Sequence, residues 1–165
     1  MRTGKRLLLK SPPHTGRIAC LARLFPGARF IHLVRDPHAL FPSTMRLWQA
    51  LDAVQGMQVP NGAGLEEYVF DCLTRMYAGF EKQRAQLDPR TICDLRYEDL
   101  VRDPVAAVAR IYRELGLDGF DALLPQLQAG IAERKDYRTN IHALDAAQSE
   151  KIRRRWGFYC DRYGY

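Results

Sequence analysis

Apolar and polar positions along the chain alternate between two periods, and the places where the period changes mark its elements. "KRLLLK", Lys5 to Lys10, is a short apolar run between charges, the pattern of a buried strand. Pro12 and Pro13 prevent its simple continuation, because neither can donate a ladder hydrogen bond. A helix is predicted from about Gly16 to Phe25. After a turn at "PG", the run "ARFIHLV" is almost continuously apolar, as in a parallel strand covered on both faces. "DPHALFPSTMRLWQAL" then reads as a helix, with Asp36 as its cap, Pro37 at its first position, and Met45, Leu47, Trp48 and Leu51 on its apolar side. Pro42 removes a backbone donor early in that helix, which predicts an irregular first turn and regular helix from Ser43.

"DAVQGMQVPNGAG" reads as a loop, and "LEEYVFDCLTRMYAGFEKQRAQL" as a helix whose buried stripe is Leu65, Val69, Leu73, Met76 and Phe80. "RTICDLRY" is a third strand. "DPVAAVARIYRELGL" follows as a helix opened by Asp103 and Pro104 and ended at Gly116. Two more helices are predicted, "FDALLPQLQAGI", weakened by Pro125, and "AAQSEKIRRRWGFYCDRY", which begins after Asp145. The succession of strands and helices predicts an α/β fold with a parallel sheet and right-handed crossovers, in a single domain over residues 1–165. Ligands of such sheets sit where strands end and helices begin.

Composition narrows this picture. Of the 165 residues, 47% are hydrophobic and 27% charged, which suits one packed core and excludes a disordered tail. Cys20, Cys72, Cys93 and Cys160 lie far apart, without metal-ligand spacing or a disulfide framework, so a reduced, cytoplasmic compartment and no metal are expected. No apolar run reaches membrane-spanning length. The net charge of +6 calls for an anionic partner without choosing among nucleic acid, nucleotide, sulfate and acidic lipid.

Three constellations fall at the expected carboxyl edge. Arg35 ends one strand and Ser43 lies about two turns into the next helix; a guanidinium fork, a hydroxyl and helix-start amides together suit a phosphate. The plainer alternative is a local Arg35–Asp36 pair beside a capped helix. Lys10 and His14 flank the proline pair, where a histidine can take a proton and a lysine can neutralise charge; a solvated lysine and a turn-capping histidine are the plainer alternative. In "LRYEDL", Tyr97 can stack on a base or pack at the core edge, while Glu98 and Asp99 can cap a helix or pair with Arg102. The basic "ERKDYRTN" and "IRRRW" suit an anionic ligand or a solvated helix face, and Trp48 and Trp156 read as core residues.

Taken together, "LKSPPHTGRI", "FPGARFIHLVRDPHALFPSTMRLW", "GLEEYVF", "RYEDLVRDP", "IYRELGL", "ERKDYRTN" and "RYGY" resemble the sulfotransferase superfamily, and most closely its bacterial-type members, from about Lys5 to Tyr165. The resemblance implies a P-loop-NTPase-like parallel sheet flanked by helices, with a helix-rich C-terminal half. It also implies use of 3′-phosphoadenosine 5′-phosphosulfate (PAPS), which leaves as adenosine 3′,5′-bisphosphate (PAP), and transfer of a sulfuryl group to an acceptor hydroxyl or amine. By the same resemblance Arg35 and Ser43 hold the 3′-phosphate and Tyr97 lies near the adenine. Lys10 acts on the transferred group and His14 is the base, although Lys10-Ser-Pro-Pro-His14 is two residues longer than the family's Lys-x-His. Acceptor recognition, for a small molecule, glycan or lipid, falls on variable loops that include "DAVQGMQVPNGAG".

The chain departs from the family at its start. "MRTGKR" supplies neither the strand nor the Gly-Ser-Thr loop that cradles a 5′-phosphosulfate. The expectation is therefore a fold incomplete at the N-terminus, the C-terminal portion of a sulfotransferase, with little or no transferase activity alone. Two rival functions stand beside the enzyme: a non-catalytic PAP-binding remnant, and a basic nucleic-acid-binding module, for which no recognised motif speaks.

Overall fold

The computed structural model describes residues 6–59, 61–134 and 143–165, so Met1–Lys5 and most of "ERKDYRTN" lie outside the described residues. A 3-10 helix over Pro12–Arg17 leads into α1 (Ile18–Leu24), β1 (Phe30–Val34), α2 (Pro37–Gln55) and α3 (Leu65–Arg84). Then come β2 (Ile92–Arg96), α4 (Tyr97–Arg102), α5 (Pro104–Glu114), α6 (Phe120–Glu133) and α7 (Ala146–Tyr163). The described sheet has two parallel strands, paired in register from Phe30 opposite Ile92 to Val34 opposite Arg96. Consecutive parallel strands cannot be joined by a hairpin, and α2 and α3 provide the crossover.

The main core lies between β1, α2, α3 and α7, where Phe41, Phe70, Phe80, Trp156 and Tyr159 are buried. Phe41 stacks on Phe70 at 4.5 Å, and the Trp156 indole donates to the Phe70 carbonyl at 3.2 Å. Trp156 is thus core, as its sequence context suggested. A second cluster, Cys93, Leu95, Ala107, Ile111 and Leu115, packs α5 onto the other side of β2.

Helix starts follow the capping chemistry read from the sequence. Asp36, Asp103 and Asp145 each accept a first-turn N–H, from His38, Ala106 and Gln148 respectively. Gly116, at φ +59°, ends the α5 segment in the left-handed region.

Several expectations are corrected. The first strand expected at Lys5–Lys10 is not found among its described residues: residues 6–11 have no regular structure, and Leu7, Leu8 and Leu9 are exposed. A strand exists only through its ladder, and neither described strand pairs with this segment. The strand "FIHLV" is covered on one face, since Ile31 is 42% and Leu33 49% exposed while His32 and Val34 are buried. The first turn of α2 is regular despite Pro42, because the Asp36 cap and the bonds from Ala39 and Leu40 to the Asp36 carbonyl set the helix before the proline is reached. On α3 the fully buried residues are Val69, Phe70, Tyr77 and Phe80, whereas Leu65, Leu73 and Met76 only flank them. α2 also absorbs Asp52–Gln55 from the expected loop, and α1 starts at Ile18 because the proline pair favours a tighter 3-10 turn before it.

Candidate functional site

At the carboxyl edge of the sheet the chain leaves β1 through Arg35 and Asp36 and leaves β2 directly into α4, whose first residue is Tyr97. The register sets Val34 beside Arg96, so the next residues, Arg35 and Tyr97, emerge side by side. The Arg35 guanidinium carbon lies 4.8 Å from the centre of the Tyr97 ring. An arginine resting on an aromatic face keeps its N–H donors in the guanidinium plane available for an anion. The local Arg35–Asp36 pair does not form: Asp36 is used by its own helix, bonded to the His38 N–H at 2.8 Å and the His38 ring at 3.2 Å.

The turn that carries Arg35 is fixed by side chains from distant parts of the chain. The Tyr159 hydroxyl accepts from the Arg35 N–H and donates to the Arg35 carbonyl, each at 3.0 Å. Glu98 Oε1 accepts from the Asp36 N–H at 2.9 Å, and Glu98 Oε2 from the Tyr165 hydroxyl at 2.8 Å. Asp99 pairs with Arg102, one of the roles its sequence context allowed.

Ser43 is half-buried on the second turn of α2, on the helix whose capped N-terminus follows Arg35. Lys10 is exposed just before the 3-10 turn, and His14 lies within that turn with its Nδ1 shielded from solvent and without a hydrogen-bond partner among the described residues. Gln83 holds this segment against α3, donating to the Gly16 carbonyl at 3.1 Å and accepting from the Ala19 N–H at 3.2 Å. The structure therefore brings Arg35 and Tyr97 into contact. Among the described residues no hydrogen bond, ion pair or ring contact joins Lys10 or His14 to them.

Beneath the edge, a polar network ties the two strands together. His32 Nδ1 lies 2.8 Å from Asp94 Oδ1, its Nε2 lies 3.1 Å from the Tyr77 hydroxyl, and Arg84 forms a two-pronged bridge to Asp94. Burial raises the Asp94 pKa, but the bonds from His32 and Arg84 outweigh it and hold the carboxyl at about 2. Neither this network nor the Tyr159 and Glu98 contacts was anticipated, although a lone histidine inside an apolar strand and the acid of "YED" were their visible traces.

A groove of about 730 Å³ opens between the end of α2, the following loop and the start of α3, lined in part by Trp48, Asp52, Met57, Val59, Leu65 and Tyr68. Trp48 lies roughly 7–8 Å beyond Ser43 along the α2 axis. Part of the basic C-terminal run is not a free surface: Lys151 pairs with Glu66 and Glu67, and Arg155 with Glu67 and Asp71, tying α7 to α3. No described helix is long and apolar enough to cross a membrane.

Comparison with known proteins shows the family of the chain. A sequence profile described as "Sulfotransferase family" matches residues 1–122. The chain belongs to the sulfotransferase family. It is 40% identical over 164 residues to the omega-hydroxy-beta-dihydromenaquinone-9 sulfotransferase Stf3 of Mycobacterium bovis, a match covering 99% of this chain and 42% of that protein. It is 32% identical over 112 residues to mouse carbohydrate sulfotransferase 5, across 62% of this chain and 27% of that one. The chain thus spans about two fifths of the length of its mycobacterial relative. Among solved structures, sulfotransferase STF9 from Mycobacterium avium superposes with a TM-score of 0.77 at 20% identity, over 94% of this chain and 41% of that one. Sulfotransferase STF1 from Mycobacterium tuberculosis gives 0.71 at 25% identity, over 93% and 40%. The α/β sulfotransferase fold is P-loop-like, and this chain shares it.

Proposed function

We propose that this chain binds the 3′-phosphate and adenine of PAPS or PAP at the carboxyl edge of β1 and β2, in the service of sulfuryl transfer to an acceptor hydroxyl. The observation that carries this reading is Arg35 resting on Tyr97 immediately before a capped helix. Arg35 makes no ion pair with a carboxylate among the described residues, so its fork fits an external anion. Ser43 adds a hydroxyl from the same helix, and Tyr97 offers a flat face to a base. PAPS, when bound, supplies the activated sulfuryl group. Lys10 is assigned to charge stabilisation and His14 to proton removal from the acceptor, the roles that the family resemblance gives them; the unpartnered Nδ1 of His14 is the observation in its favour.

For the acceptor, we favour a hydroxyl on an apolar molecule. Its support is the groove beyond Ser43, where Trp48, Tyr68, Leu65, Met57 and Val59 supply apolar lining, and the lipid-quinone alcohol named for the mycobacterial relative.

Thermal unfolding with added nucleotide tests the binding claim. A ligand that binds only the folded chain raises Tm with concentration, by about 2.7 kcal/mol of added stability at a hundred times Kd. PAP is expected to raise Tm and adenosine 5′-monophosphate to do so far less; equal effects from the two would refute the 3′-phosphate assignment. With an upstream segment that supplies a 5′-phosphosulfate loop joined to the chain, labelled sulfuryl transfer from PAPS to a prenylated alcohol and to a sugar separates the acceptor classes, with the apolar alcohol expected to be preferred.

A further inference from the structure

The bonds around the β1–α2 turn form a ring that reaches the last residue of the chain. Arg35 and Asp36 lie after the final ladder pair, Val34 with Arg96, and before the first helical N–H of α2 that a helix carbonyl satisfies. The Asp36 carbonyl accepts from Ala39 and Leu40, but both backbone groups of Arg35 and the N–H of Asp36 need partners from elsewhere. Tyr159 gives both to Arg35, and Glu98 gives one to Asp36. The second oxygen of Glu98 holds Tyr165, whose ring lies parallel to that of Tyr159 with 6.0 Å between centroids. Gly164, at φ +73°, provides the left-handed turn that ends α7 and folds Tyr165 back over it. The Arg96 guanidinium lies 4.3 Å from the Tyr165 ring centre.

We infer that Tyr159, Glu98 and Tyr165 are positioning residues for the Arg35 anion grip: a latch from α4, α7 and the turn after α7 that fixes the Arg35 backbone and so keeps its guanidinium over Tyr97. This inference rests on the proposal that Arg35 binds the 3′-phosphate. Burial of a tyrosine at position 159 requires only an apolar ring; the hydroxyl there, 1% exposed as a residue, bonds both backbone groups of Arg35 and also meets the Tyr77 hydroxyl. Burial pushes the phenols of Tyr159 and Tyr165 above their ordinary range, and Glu98 pushes Tyr165 further. Both therefore keep their protons through neutral pH, and the latch stays closed there.

The test uses Tyr159→Phe and Tyr165→Phe in the full chain, each titrated calorimetrically with PAP and with adenosine 5′-monophosphate. The readout is the ratio of the two affinities, because loss of general stability alone lowers both together. The ratio is expected to fall about tenfold in Tyr159→Phe, which loses two bonds to Arg35, and about threefold in Tyr165→Phe. Glu98→Gln, which keeps an acceptor oxygen for the Asp36 N–H, should retain more of the ratio than Glu98→Ala. If Tyr159→Phe does not fold, Tyr165→Phe, at the partly exposed chain end, carries the comparison. Wild-type ratios in folded variants, or equal losses for both nucleotides, overturn the latch alone. A wild-type chain with no preference for PAP overturns the functional proposal, and the latch falls with it.

Discussion

Replacing Asp94 with asparagine removes the charge that joins β1 to β2 just below the candidate site. In the wild type Asp94 faces the buried His32 ring and a two-pronged Arg84 bridge, and its carboxyl is held at about 2 against an ordinary 3.8. That difference corresponds to roughly 2.5 kcal/mol of stability at neutral pH. The side chain is 32% exposed, so solvent screening reduces the expected contribution to about 1–2 kcal/mol. Because the folded value is depressed, this stability is fully present above the unfolded value and is lost as pH falls from about 4 towards 2. Urea unfolding followed by the fluorescence of buried Trp156 measures it at stepped pH. Asp94→Asn should be less stable by about 1–2 kcal/mol at pH 6, and the gap should close as pH approaches 2. Parallel curves for the two proteins from pH 6 to pH 2 would refute the assignment of the acid limb to Asp94.

Other expected outcomes follow from the same structure. Trp156→Ala leaves a void among Phe41 and Phe70 and removes the indole donor to the Phe70 carbonyl, so it should cost about 3–5 kcal/mol in urea unfolding, a large share of a domain's stability. Iodoacetamide at pH 8 should label exposed Cys20 first and Cys93 last, since burial beside Glu114 pushes the Cys93 thiol up to about 12; mass spectrometry of a time course reads the order. Glu67→Gln should lower Tm at low salt and less so at high salt, because Glu67 holds Lys151 and Arg155 at the surface.

The helix starts were legible because capping is local: an aspartate followed by proline or small residues carries its own signal, and Asp36, Asp103 and Asp145 all cap. The strand that leads into Arg35 was equally legible, since its turn and apolar run lie within nine residues. Leu7–Leu9 failed for the complementary reason. A strand's existence depends on a neighbour, and three leucines in sequence say nothing about whether one pairs with them. The same limit applies to the faces of β1, where the exposure of Ile31 and Leu33 is set by which helices pack nearby.

At the site, Arg35, Ser43 and Tyr97 could be named because an arginine after a strand, a hydroxyl two turns later and an aromatic after the next strand have recognisable chemistry. Their contact could not be read, since it follows from the β1–β2 register. Tyr159 and Glu98 were hidden for a different reason. Tyr159 acts on a backbone 124 positions away and Glu98 on one 62 away, and no local pattern encodes such distances.

The central claim is that Arg35 confers recognition of the 3′-phosphate. Calorimetric titration of the wild type and Arg35→Ala with PAP and with adenosine 5′-monophosphate tests it most directly. A charge-assisted contact of this kind is worth about 1.5–3 kcal/mol, so Arg35→Ala should weaken PAP binding about 10- to 100-fold and leave the monophosphate little changed. An Arg35→Ala chain that still prefers PAP as strongly as the wild type would contradict the account.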